Sequence, residues 1–355
     1  MKNSNSIIAG VMALMLVFGA GIVLVNTRFT VPEENVIATS AETLQYGSLT
    51  YEVEDNDTIT ITGFDDSVTE VEIPAEIDGK PVTSIGYGAF KSKKLTDITL
   101  PDGLISISFH AFYDCKYLGS ISIPDSVIEL GGACFYNCTA LQSVKLSNRL
   151  TELQGFGSCT SLTEITIPAS VRSIGMSAFS SCTSLNTVTM LDGVTSIGNQ
   201  AFDSCKSLKT IKFPDTLTTI DAYAFRGCIS LESVTVPESV VTIGSDSFYN
   251  CKGLKEITIL NSACDIGTVT AITNEYSSYS GVIYGEEGST AQAYAEKNNY
   301  TFQSISSKAR KGDMNSDGEI NSVDSSIILG YYAYLSTKPE DEVAMDIDEY
   351  QATQQ

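Results

Sequence analysis

The sequence predicts an α/β repeat solenoid of 23-residue units with parallel stacked strands, followed by a small α-helical C-terminal module. Three observations lead there. A phenylalanine returns at an almost fixed interval, a strand-period alternation recurs once per interval, and an oxygen-donor pattern lies near the C-terminus.

The chain opens with Lys2 and an apolar run from Ile7 to Val25, long enough to span a bilayer. Export is therefore expected. Residues 1–41 read as a signal peptide cleaved after Ala41, at the small-residue stretch ATSA, with an uncleaved membrane anchor as the alternative. The formal net charge of -22 and a pI near 4.3 set the protein against phosphate backbones and anionic headgroups. Nucleic acid is excluded as a partner, and membrane contact is left to an uncleaved N-terminus.

Residues 42–81 alternate like strands and form the expected N-terminal β cap. Beyond them Phe90, Phe112, Phe135, Phe156, Phe179, Phe202, Phe225 and Phe248 follow at spacings of 22, 23, 21, 23, 23, 23 and 23. One unit reads AFDSCKSLKTIKFPDTLTTI (201–220), with Phe202, Cys205, Leu208, Ile211, Phe213, Leu217 and Ile220 as its apolar positions. Alternation across Ile211, Lys212 and Phe213 is strand period, with the lysine outward. Pro214 cannot donate to a ladder, so it ends the strand and turns the chain. No unit holds enough apolar surface for a core of its own, so neighbours must stack, about 4.8 Å per step. The repeats are expected over 82–260 and a C-terminal cap with a short helix in TAQAYAEKNN over 261–305.

These units, with the opening IPAEIDGKPVTSIG and the closing IYGEEGSTAQAYAEKNNYTF, resemble the BspA-like leucine-rich repeat proteins of bacterial surfaces. The resemblance implies a leucine-rich repeat solenoid that holds a protein partner and performs no catalysis. Departures are small: AFKSKKL is one residue short and lacks the cysteine, and Leu191 stands where most units have proline.

Cys115, Cys138, Cys159, Cys182, Cys205, Cys228 and Cys251 each fall three residues after the repeat phenylalanine, so they form a column through the stack. Small buried side chains suit a coil corner. Disulfides between successive coils are the alternative, since the spacing lies in the range a disulfide tolerates, although parallel side chains point away from it. Metal binding needs ligands that converge, and a column spreads them. The nine cysteines are an odd number, so one thiol at least stays unpaired in a monomer.

The outward strand position reads Thr99, Ser122, Lys145, Thr166, Thr189, Lys212, Thr235 and Thr258. This is the candidate binding face of the solenoid, for a protein ligand that the residues do not name. It carries no aromatic ring for sugar stacking; threonine also simply suits a solvated strand. The lone His110 has no recognisable base or nucleophile beside it, and no carboxylate pair can be placed in a cleft, so no enzyme activity is expected.

Residues 306–355 contain GDMNSDGEINSVD. Counted from Asp313, the positions that ligate calcium in a helix-flanked loop are Asp313, Asn315, Asp317, the backbone carbonyl of Glu319, Asn321 and Asp324, with Gly318 at the turn. Ca2+ is therefore the expected cofactor. In SSIILGYYAYL, Ile327, Tyr331 and Leu335 fall four apart, which gives a helix with one apolar face and completes an EF-hand-like α-helical module. A module this small should couple folding to metal binding.

Loop and helix together resemble a dockerin, which plugs into a cohesin domain of a scaffold protein. Carried over by position, Ser322, Val323, Ile328 and Leu329 are the implied cohesin contacts, and the implied setting is a cellulosome. The family's second loop is not matched: DIDEY (346–350) lacks the glycine and the remaining ligands. A polysaccharide-degrading enzyme is the competing reading, but repeats, caps and tail leave no room for a catalytic domain.

Overall fold

The computed structural model describes residues 43–267, 271–272 and 279–305. The N-terminal run and the calcium-loop module, including every residue from Asp313 to Leu329 named above, lie outside the described residues. Among the described residues no helix is long and apolar enough to cross a membrane.

Each coil has three limbs. The first is a strand such as Ser233–Val236, the second a two-residue strand such as Thr242–Ile243, and the third a run of tight turns carrying the phenylalanine and the cysteine. Strands pair in parallel with those one repeat away, so Ser233 sits opposite both Thr210 and Glu256. Second-limb strands run in one ladder from Glu152–Leu153 to Asp265–Ile266. Alternation decides what faces in: Ile165 and Ile167 are buried while Glu164 and Thr166 are exposed.

The core is a set of columns. The leucines at Leu95, Leu118, Leu141, Leu162, Leu185, Leu208, Leu231 and Leu254 are all buried. The eight repeat phenylalanines stack through the centre, with centroids from 4.9 Å (Phe90–Phe112) to 5.8 Å (Phe156–Phe179) apart. Phe64 of the N-terminal cap continues this column at 5.3 Å from Phe90.

The caps end the stack differently. At the N-terminus Leu44–Tyr46, Leu49–Val53 and Ile59–Phe64 pair antiparallel, and Ile59–Phe64 then hands over in parallel to Lys80–Ile85. At the C-terminus the helix Thr290–Lys297 buries Ala291, Tyr294 and Ala295. Its N-cap is Ser289, which accepts from Gln292 N at 3.3 Å. Thr290 Oγ1 donates to Cys264 O at 2.7 Å and ties the helix to the last coil.

Two sequence expectations need correction. The architecture is a β-solenoid, not an α/β one, because this eight-residue helix is the only one among the described residues. The third limb cannot be helical: it carries left-handed residues four apart, as at Gln200 (φ 57°) and Ser204 (φ 60°), and such residues do not propagate a right-handed helix. Thr258 is also not an outward residue; it is buried. Its register partner beyond is Tyr284 in Val282–Gly285, where the cap's larger side chain succeeds the threonines of the column.

Because Phe179 is sandwiched between Phe156 and Phe202, Phe179→Ala should cost about 3–5 kcal/mol, the usual loss for a buried phenylalanine. Urea unfolding followed by circular dichroism would measure it.

Candidate functional site

No group of three or more His, Cys, Asp or Glu side chains is placed to hold a metal among the described residues.

The first-limb face is built as the alternation requires. Thr99, Ser122, Lys145, Thr166, Thr189, Lys212 and Thr235 all point to solvent, and Asp97, Ser120, Ser143, Glu164, Thr187 and Thr210 accompany them. Only Thr258 drops out of this run. The ladder is interrupted between Ser143–Lys145 and Glu164–Ile167. A shallow groove of about 330 Å³ opens there, lined by Lys145, Asn148, Glu164, Thr166, Pro168 and Leu191. It adjoins the 21-residue unit, where Ser147 stands at the position of the strand-ending proline.

The cysteine column is structural, and for a reason its size alone does not supply. All nine cysteines are buried free thiols. Each column thiol donates to the carbonyl of the phenylalanine one coil earlier: Cys138 Sγ to Phe112 O at 3.2 Å, Cys205 Sγ to Phe179 O at 3.2 Å, Cys228 Sγ to Phe202 O at 3.2 Å. The same carbonyl accepts the N–H of its own coil's cysteine, as Phe202 O does from Cys205 N at 3.2 Å. Both acceptor positions of that oxygen are thus filled. Burial pushes the thiols of Cys115 and Cys182 up to about 12 and that of Cys264 up to about 11. Thiols held protonated in this way are neither nucleophiles nor metal ligands.

His110 does not stand alone. It has φ 60° and lies in a surface cluster of rings, 4.1 Å from Phe109, 4.7 Å from Tyr113 and 5.7 Å from Tyr87, measured between centroids. Sequence reading missed this cluster because its members occupy different positions of the repeat. The third limb also carries a bidentate ion pair between adjacent coils, Arg226 Nε and Nη2 to Asp203 at 2.9 and 2.8 Å.

Parallel stacked strands, with one leucine and one phenylalanine of each coil returning in buried columns, define a leucine-rich repeat protein of the β-solenoid class. The chain belongs to the BspA type leucine-rich repeat family, whose profile matches residues 64–156, 83–182 and 154–274 in six copies. Among solved structures it is similar to a leucine rich cell surface protein from Faecalibacterium prausnitzii, with 26% identity, a TM-score of 0.51 and coverage of 65% of this chain and 75% of that one. Leucine-rich repeat proteins from Bacteroides ovatus (21% identity, TM-score 0.42, 68% and 84% covered) and T. pallidum (22%, 0.40, 74% and 98%) are similar too. No curated protein matches.

The thiols give a pH dependence with a definite sign. An unfolded thiol ionises near pH 9, whereas Cys115 and Cys182 stay protonated until about 12 when folded. Their contribution is complete below about pH 9 and is lost as pH rises toward 12. The urea midpoint should fall between pH 7.5 and 10.5, and fall less in Cys182→Ala. A thiol-specific chromogenic reagent should react slowly with the native chain and with all nine cysteines after unfolding.

Proposed function

We propose that this is a non-catalytic surface or secreted bacterial protein that holds a protein partner on the outward faces of its solenoid. Its tail, in this reading, docks it through calcium to the cohesin domain of a scaffold. The observation that carries the proposal is the row of exposed, mostly hydroxyl-bearing side chains from Thr99 to Thr235. Extended solenoid faces of this kind suit macromolecules better than small substrates. The apolar run from Ile7 to Val25 and the cell-surface character of the F. prausnitzii relative support a location outside the cytoplasm.

The tail reading rests on sequence alone. Asp313, Asn315, Asp317, Glu319, Asn321 and Asp324 supply oxygen donors at the spacing a hard cation needs, and Ser322, Val323, Ile328 and Leu329 are the positions a cohesin would meet.

Calorimetric titration of the full chain with a panel of cohesins should show binding with calcium and none with chelator. Asp313→Ala/Asp317→Ala should weaken calcium binding at least 100-fold. Calcium uptake without cohesin binding in any member of the panel would sink the docking proposal. For the solenoid, chemical cross-linking to surface proteins of neighbouring cells should be lost in Thr166→Arg/Thr189→Arg; unchanged cross-linking would move the binding face elsewhere.

A further inference from the structure

Exposed aromatic side chains gather at one corner of the solenoid, where the second limb passes into the third in the N-terminal coils. Tyr87 is 68% exposed and Phe109 47%, although both are large apolar rings. Their centroids lie 6.3 Å apart with planes 10° from parallel. Tyr113 and Tyr136 form a second pair at 5.2 Å and 17°. His110 bridges the pairs, so the rings form one continuous strip.

This strip is separate from the interior phenylalanine column, and the next coils make room for it. A Cβ on Gly132 would sit 2.7 Å from Phe109 Cε2, and one on Gly157 would sit 2.9 Å from Tyr136 Cδ2. Those glycines let the rings lie along the surface. A contiguous exposed apolar patch on a strongly charged protein marks a contact site, and tyrosine and phenylalanine are enriched at the centres of protein interfaces.

Charge selects the partner. Glu129 and Glu152 are exposed on successive second-limb strands, on either side in sequence of Gly131 and Gly132. Neither has an ion-pair partner among the described residues. The formal net charge of -22 repels acidic surfaces and attracts basic ones. The third limb also already accommodates cations on its rings: Lys91 Nζ lies 5.2 Å from the Tyr113 centroid, and the Arg226 guanidinium 5.1 Å from that of Tyr223. A guanidinium is the group that both stacks on a ring face and pairs in a fork with a carboxylate.

We propose that this aromatic corner docks a basic, arginine-bearing polypeptide segment of a partner protein. Its guanidinium groups stack on Tyr87 and Phe109 and pair with Glu129 and Glu152. The proposal rests on the protein-binding reading above and gives that reading a second surface and a partner chemistry.

The test uses the full chain and labelled nona-arginine and nona-lysine peptides, followed by fluorescence anisotropy at several salt concentrations. The arginine peptide should bind more tightly than the lysine peptide. Tyr87→Ser/Phe109→Ser should weaken arginine binding at least tenfold and erase the preference. Glu129→Gln/Glu152→Gln should weaken it and flatten the salt dependence. Glu238→Gln/Glu287→Gln, exposed in the turn after Ser233–Val236 and in the C-terminal cap, should leave it unchanged, with thermal unfolding confirming that every variant is folded. Equal losses in this control would reduce the effect to overall charge and overturn the proposal. So would wild-type binding by the aromatic variant, or ring-dependent binding of cello- or xylo-oligosaccharides in place of the peptide. If cross-linking through the first-limb face survives while peptide binding ignores the rings, this proposal falls alone. If no partner protein is cross-linked but the peptide result holds, the broader reading falls instead.

Discussion

Stacking of one phenylalanine per coil sets the geometry that every other residue has to satisfy. Strands in a parallel ladder repeat at about 4.8 Å, and the rings repeat at 4.9 to 5.8 Å along the same axis. Both spacings hold together only if each coil returns its ring to the same place, which ties the chain to units of 23 residues. The coil that departs furthest from that length shows the constraint. Between Phe135 and Phe156 the unit is 21 residues long, and the second-limb ladder stops between Glu129–Leu130 and Glu152–Leu153. Gln154 Nε2 donates to Leu130 O at 3.2 Å there, a side chain standing in for the missing backbone donor.

What the sequence disclosed was whatever repeats. Phe202, Cys205, Leu208, Ile211 and Ile220 announce their burial by recurring, and Lys212 announces its exposure by falling between inward residues. The limits of that signal follow from its nature. Thr258 belongs to the outward column by spacing, yet it is buried and its register partner is Tyr284 of the cap, which no repeat position encodes. The α/β character expected of the repeat itself was wrong because backbone φ at Gln200 and Ser204 is not visible in residue type, whereas the short cap helix expected in TAQAYAEKNN is present at Thr290–Lys297. The cysteine column was legible as small and buried, but its hydrogen bond to the preceding coil's phenylalanine carbonyl needs coordinates.

The aromatic corner escaped for the opposite reason. Tyr87 and Phe109 share one repeat position with Gly132 and Asn199, and Tyr136 shares another with Gly157, Asp203 and Arg226. Columns of that kind look like noise when read for recurrence. In a fold whose repeated positions are all committed to stacking, they are where one member of the family can differ from another without loss of the core.

The thiol-to-carbonyl bond also gives the stack a direction. Each column cysteine donates backward, to the coil before it, as Cys205 does to Phe179 and Cys228 to Phe202. Loss of one thiol therefore leaves its gap in the preceding coil, at a carbonyl that keeps only the N–H of its own cysteine, so that a fault in one unit is felt by its neighbour.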